Sequence, residues 1–184
     1  MHFLYFLCEM LNTILIVVGI IFGLILMIAA FLPKNTIITE SIVIQKDQST
    51  VFNFVKQVNN QHQYNKWVMA DPNADFQTFG EDGHVGFILS WNSTNSNVGE
   101  GEQEIIEISD NQHIKIEIRF KRPFSGTSYQ NITFLTPTDS STEVKMTFES
   151  SAKYPYNLMS ALMKGVLKKD MGITLGNLKN VLES

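Results

Sequence analysis

The chain has 184 residues and a net charge of −4, a length that suits one domain with an appendage better than two domains. All 14 Lys and Arg lie from Lys34 onward, and so do all of the 18 Asp and Glu except Glu9. A mildly acidic segment with interspersed signs does not attract phosphate backbones, so nucleic acid is not an expected partner, and the single Cys8 excludes an intramolecular disulfide.

Between Leu11 and Leu32 there is no charged residue, His, Gln or Pro, and only Asn12 and Thr13 are polar. A helix of about 20 apolar residues spans the hydrocarbon core of a bilayer, so residues 11–32 are expected to cross a membrane once. Pro33 stops the helix and Lys34 brings charge to the interface, while Phe3, Tyr5 and Phe6 stand ahead of the run as interfacial aromatics. A cleaved signal peptide fits less well. The residues up to Glu9 include no Lys or Arg, the run exceeds an apolar region of about 7–15 residues, and Ala29-Ala30 lacks small-x-small spacing. Lys34 and Lys46 on one side, against no Lys or Arg on the other, place the following domain in the cytoplasm. Gly19 and Gly23 form a GxxxG spacing that lets two membrane helices pair; Gly is also common in such helices, and both readings stay open. Cys8 stands where acylation occurs, although a plain buried or lipid-facing thiol is the commoner role. The chain thus divides into a segment with a transmembrane helix, 1–33, and a soluble domain, 34–184.

After Pro33 the pattern changes at once. Thr36–Gln45 is rich in β-branched residues and predicts a strand. Asp47 opens a helix whose apolar face is Val51, Phe52, Phe54, Val55 and Val58. A short helical or irregular stretch ends at Trp67, and turn clusters follow at Asp71–Asn73 and Glu81–Gly83. Strands are expected over 76–79, 85–91, 98–108, 113–121, 127–135 and 143–150, with a hairpin turn at Asp110-Asn111. In 113–121 Ile114, Ile116, Ile118 and Phe120 alternate with polar residues, as Val144, Met146 and Phe148 do in 143–150; such alternation marks antiparallel strands with one wet face. From about Tyr156 the period becomes helical. Leu158, Met159, Leu162, Met163, Val166, Leu167, Met171, Leu175, Leu178 and Leu182 form one stripe expected to bury itself on the apolar face of the sheet. A sheet gripping a single helix leaves a wedge suited to a small-molecule cavity.

The strand and helix of Ile42–Val55, the Asn65–Trp67 segment, the Gly-x-Gly strand of Ser90–Ile108, the Pro-Phe ending of Phe120–Phe124 and Gly172–Lys179 occur in an order that resembles the START-like (SRPBCC) superfamily, nearest its polyketide cyclase/dehydrase-like branch. The resemblance runs from about Ile38 to Leu182. Lys46-Asp47 replaces the Ala-Pro often found there, which changes the cap and not the fold. The resemblance implies an α+β helix-grip fold, a curved antiparallel sheet wrapped around a long C-terminal helix, with a hydrophobic pocket. It implies no catalytic set, because its members range from lipid carriers to cyclases to chaperone activators.

The residues themselves show little catalytic patterning. His2, His62, His84 and His113 are scattered, and one Cys cannot build a zinc site, so no metal or cofactor is expected. Gly99-x-Gly101 lies on a strand rather than opening a helix, so it reads as a bend in a curved sheet, not a nucleotide loop. Asp71, Asn73 and Asp75 start like a calcium loop but lack its later Gly and Glu, and read as a turn. Asn92–Thr94 and Asn131–Thr133 match glycosylation acceptors at the level of chance. Glu100, Glu102 and Glu104 share one strand face, expected to be the solvent face. The favoured function is a membrane-anchored binding or carrier domain for a hydrophobic small molecule or lipid, with Trp67, Phe87, Trp91, Ile118, Phe120, Met146, Phe148, Met159 and Met163 as candidate pocket residues. Two rivals remain. A cyclase/dehydrase-like enzyme needs a buried polar cluster, for example around His62, Tyr64 or Arg119. A protein-interaction or stress-response module without a ligand needs a filled wedge and an exposed apolar patch.

Overall fold

Alternating side chains give each strand one face to bury, and seven strands combine those faces into one sheet. The computed structural model describes residues 2–138 and 140–184; the side chains of residues 2–4, 7 and 8 fall outside the described residues, and with them the roles expected of Phe3 and Cys8. The strands are β1 (Asn35–Ile44), β2 (Asp75–Phe79), β3 (Ile88–Asn92), β4 (Glu100–Ser109), β5 (His113–Arg122), β6 (Gly126–Thr138) and β7 (Ser141–Ser151). They pair antiparallel throughout in the order β1-β7-β6-β5-β4-β3-β2. Register shifts at Glu100/Gly101 and Ile105/Glu107 interrupt the β4–β5 ladder, and such bulges bend a strand and increase its twist.

The helices are α1 (His2–Phe31), α2 (Gln48–Lys56), α3 (Gln61–Tyr64) and α4 (Asn157–Glu183). In α1, Glu9–Phe31 is long and apolar enough to cross a membrane, a property of length and composition alone. Asp47 caps α2: its carboxylate accepts from the Thr50 amide at 2.9 Å and from the Thr50 and Ser49 hydroxyls at 2.6 and 2.7 Å. Those bonds, the Thr50 hydroxyl first, hold the carboxyl well below the usual carboxylate range. The turn carboxylate of Asp82 similarly accepts from the amides of Val58 and Asn59 at 2.7 and 3.0 Å.

The core joins Ile44, Leu89, Ile105, Ile114, Ile116, Ile132, Phe134, Val144 and Met146 of the sheet to Val51, Phe52 and Val55 of α2 and to Met171, Leu175, Leu178 and Leu182 of α4. Four polar bonds pin that half of α4. Thr174 Oγ1 accepts from the Lys66 amide at 3.2 Å and Asn177 Nδ2 donates to Tyr64 O at 3.2 Å. Lys179 Nζ donates to Val43 O at 2.7 Å, and Glu183 Oε1 accepts from the Gln45 amide at 2.6 Å.

The first half of α4 departs from the expected single stripe. Met159, Leu162, Met163 and Val166 are 50%, 68%, 39% and 48% exposed. Their i, i+3, i+4, i+7 spacing does give one face, but at 3.6 residues per turn it is rotated by roughly a third of a turn from the face of Met171, Leu175, Leu178 and Leu182. The sequence stripe is therefore two stripes, of which the C-terminal one meets the sheet.

The two halves of α4 should respond differently to truncation. Leu178→Ala removes a fully buried side chain and should cost about 2–5 kcal/mol in urea unfolding of the domain, whereas Leu162→Ala should change stability by no more than about 0.5 kcal/mol. Equal effects would refute the division. The Asp47 cap adds a pH signature. A depressed folded pKa contributes stability that is present above about pH 4 and lost as pH falls through the folded value. Asp47→Asn should therefore lower Tm at pH 7, with the difference from the parent shrinking steadily in acid; a constant difference would show that the carboxylate charge is not its source.

Candidate ligand cavity

A cavity of about 570 Å³ lies between the sheet and α4, within the size range of small-molecule sites. The sheet supplies Leu89 and Trp91 from β3, Gln103 from β4, Ile118 and Phe120 from β5, Gln130 from β6 and Phe148 from β7. The facing wall is the middle of α4, with Met163, Val166, Leu167, Asp170 and Met171. Gln61, Asn65, Lys66, Trp67, Val68 and Ala70, from α3 and the segment after it, form a third side with Phe76. Exposed Trp67, Asn95, Asn97, Met163 and Val166 mark the mouth.

Local sequence explains the shape of the apolar wall. Gly101 stands opposite both Trp91 and Phe120 in the ladder, and a Cβ there would collide with the Trp91 ring. The missing side chain lets the indole lie across β4, where it meets Phe120 edge-on at 6.2 Å and donates to Val98 O at 3.3 Å. Gly99 has φ of +67°, so the first glycine of the Gly-x-Gly motif serves the backbone turn into β4.

The wall also carries a cluster of buried amides. Gln103 Nε2 donates to Gln61 Oε1 at 2.9 Å, and Asn65 Nδ2 donates to the same oxygen at 3.0 Å. Asn65 Oδ1 accepts from the Trp67 amide at 3.0 Å, which fixes the turn that presents Trp67. Gln130, also buried, donates to Met146 Sδ at 3.5 Å. Amides do not titrate; they can offer a donor and an acceptor to a polar end of a ligand. At the rim Lys66 pairs with Asp170, the Lys partly exposed and the Asp largely buried. These two are the charged residues among the described lining residues.

Of the pocket residues expected from sequence, Trp67, Trp91, Ile118, Phe120, Phe148 and Met163 come together on this cavity. Phe87 and Met146 are instead buried in the core, and Met159 is exposed one turn before the cavity wall. The polar groups singled out as an enzyme's markers lie elsewhere. His62 is exposed, with its ring edge-on to Phe76 at 4.7 Å. Tyr64 is buried against Phe54, and burial first, with the Asp82 charge second, pushes its phenol pKa upward. Arg119 lies on the opposite sheet face, bonding Glu102 and Glu117 at 2.7 and 2.6 Å and pairing with Glu104 at 2.8 Å. The Glu100–Glu104 series is therefore a paired surface ladder, in which the Arg119 bond holds the Glu102 carboxyl below its usual range. Sequence reasoning missed Gln61, Asn65, Lys66, Gln103, Gln130 and Asp170. A signal existed for two of them: Gln103 and Gln130 occupy inward strand positions, between Gly101 and Ile105 and between Ser128 and Ile132.

Comparison with known proteins gives a consistent picture. The family described as polyketide cyclase/dehydrase and lipid transport matches residues 35–183. No curated protein matches the chain in sequence. Among solved structures, norcoclaurine synthase from Thalictrum flavum, in complex with dopamine and hydroxybenzaldehyde, aligns at a TM-score of 0.60 and 16% identity, covering 81% of this chain and 87% of that one. Ara h 8.0201 aligns at 0.59 and 14%, covering 82% and 99%. Protein CV1439 from Chromobacterium violaceum aligns at 0.59 and 13%, covering 80% and 97%. At such identities the likeness is one of fold, and it is the helix-grip fold.

Gln103→Leu should strip a hydrogen-bond partner from buried Gln61 and cost about 1–3 kcal/mol in urea unfolding. The double change Gln61→Leu with Gln103→Leu should cost less than the sum of the single changes, because both ends of the interaction are then removed. Strict additivity would show that the amides do not act as a pair.

Proposed function

Because the chain belongs to the polyketide cyclase/dehydrase and lipid transport family, we propose that its domain, residues 34–184, holds an apolar or amphipathic small molecule in the cavity and is tethered by α1 to a membrane. The observation that carries this reading is the composition of the lining: Trp91, Ile118, Phe120, Phe148, Leu167 and Met171 surround the space, with amides on one side. Burial of apolar ligand surface contributes about 25 cal/mol per Å² before association costs. The amides of Gln61, Asn65 and Gln103 orient a polar end, and Met163 at the mouth adapts to varied ligand shapes. The complex of norcoclaurine synthase with dopamine and hydroxybenzaldehyde is a precedent on this fold for small aromatic ligands.

The tether rests on the length and apolarity of Glu9–Phe31, which also suit a signal sequence. The long run without Lys or Arg ahead of it favours the anchor. In this reading Lys34 and Lys46 keep the domain on the cytoplasmic side. Gly19 and Gly23 have open space around them, so their face of α1 is free to pack against a second copy.

One observation favours an enzyme of the cyclase/dehydrase kind. The Lys66–Asp170 pair lies at the cavity rim, where an ammonium could polarise a ligand carbonyl. Replacing Lys66 by Met separates the readings: an enzyme loses turnover with its ligand still bound, whereas a carrier retains both binding and exchange.

Purified residues 34–184 should bind an environment-sensitive hydrophobic probe and should carry a co-purifying small molecule in native mass spectrometry. Phe120→Asp places a charge in the lining and should weaken probe binding at least about tenfold, with the far-UV spectrum unchanged. Absence of any bound molecule, together with no probe binding by the folded parent domain, would sink the carrier reading and favour the interaction module.

A further inference from the structure

The exposed stripe on the first half of α4 has a neighbour that says what covers it. Asn157, buried at the start of α4, donates through Nδ2 to Ala29 O at 2.7 Å, in the last turn of α1, and to Leu32 O at 3.0 Å, just beyond it. Ala152 N donates to Lys34 O at 2.9 Å just below. The end of the apolar helix and the start of α4 are thus held at one level. At 1.5 Å per residue, Met159 stands about 3 Å and Leu162 about 8 Å along the axis from Asn157. The headgroup layer on one side of a bilayer is about 5–8 Å thick. Val166 stands about 14 Å along the axis, so a membrane that holds α1 up to Leu32 lies within reach of Met159 and Leu162 directly, and of Val166 where α4 runs along its surface.

The charge along this segment is mostly positive, and the acids nearest to it, Asp170 and Glu40, are paired with Lys66 and Lys168. Residues 153–169 contain Lys153, Lys164, Lys168 and Lys169 and no Asp or Glu, in a chain whose net charge is −4. Lys168 pairs with Glu40 at 3.4 Å; among the described residues, Lys153, Lys164 and Lys169 make no ion pair. Phe31, Tyr154 and Tyr156, each within three residues in sequence of the Asn157 bonds, are exposed, as amphipathic aromatics are at a membrane surface. At 100° per residue Lys169 borders the stripe, whereas Lys164 and Lys168 lie on the other side of the helix; an apolar face with lysines on the remaining surface and tyrosines at the helix start has the composition of a helix that lies in the interface of an anionic bilayer.

We infer that the face of Met159, Leu162 and Val166 docks on the anionic surface of the bilayer that α1 enters, and that docking sets the cavity mouth against the lipid. The inference rests on the tethered reading above. Met163 and Val166 belong both to the mouth and to this half of α4, so a ligand passes between bilayer and cavity without crossing bulk water.

The test uses the full chain with Cys8 replaced by Ser, reconstituted in vesicles of equal parts phosphatidylcholine and phosphatidylserine. A single cysteine carrying an environment-sensitive fluorophore is placed at Leu162, at Ile16 or at Thr147 on the outer sheet face. Lipid-borne quenchers should remove most of the emission at Leu162 and Ile16 and leave Thr147 bright. Pure phosphatidylcholine vesicles, or Lys153→Glu with Lys169→Glu, should reduce quenching at Leu162 and not at Ile16. Quenching at Ile16 with a bright, iodide-accessible Leu162 overturns the docking and leaves the tether. A Leu162 label shielded from iodide yet untouched by lipid quenchers marks a protein contact, a second copy included, and also overturns it. A bright Ile16 overturns tether and docking together.

Discussion

A seven-stranded antiparallel sheet with one apolar face must cover that face, and here the covering falls chiefly to a single long helix with a shorter one, α2, beside it. The helix has 27 residues, but only its second half sinks into the core. Where Met171, Leu175, Leu178 and Leu182 press on the sheet, the hydrophobic contact and the bonds of Thr174, Asn177, Lys179 and Glu183 fix both partners. Where the helix stands off, the same sheet face continues with Trp91, Ile118, Phe120 and Phe148 and becomes a cavity wall. Core and cavity are one surface, divided by how far the helix remains in contact.

That division explains the chemistry of the wall. A fully packed interior tolerates polar side chains only when they are bonded, and the amides of Gln61, Asn65 and Gln103 meet that condition through one another. They sit where the core gives way to the cavity, so they can exchange an internal bond for one to a ligand without being left unpaired. A network of neutral amides suits recognition better than proton transfer, since no member changes charge near neutral pH. The charged pair, Lys66 with Asp170, is kept at the rim, where solvent reaches the Lys and lowers the cost of desolvation.

The strands were legible because alternation is a local property. Ile114 to Phe120 and Val144 to Phe148 declare their inward faces without reference to any other part of the chain, and Asp47 announces its helix through the bonds it makes to Ser49 and Thr50. Depth was not legible. Alternation states that Met146 and Phe148 point the same way, but only the position of α4 decides that Met146 is core and Phe148 is cavity wall. The same holds for Phe87 against Trp91. The two stripes of α4 look like one in sequence because a run of apolar residues at threes and fours satisfies a 3.6-residue period even as it drifts round the helix from Met159 to Leu182. Gln103 and Gln130 could have been found by asking which inward positions are polar, since an inward Gln on a strand must find a partner or a ligand.

A carrier that exchanges its ligand with a bilayer faces opposing demands, because tight burial slows release. The proposed arrangement eases that conflict through geometry. A tether raises the effective concentration of the binding partner without adding any contact to the ligand itself, so the cavity can bind modestly and still be filled. In that arrangement the bonds from Asn157 to Ala29 and Leu32 would carry the advantage from the tether to the mouth, because they connect α1 directly to the helix that walls the cavity. The half of α4 between the two pinned ends is the part with the fewest buried contacts, and local opening draws on such segments. Movement there would widen the mouth while Leu175, Leu178 and Leu182 keep the sheet covered, so ligand exchange need not disturb the packing on which the fold depends.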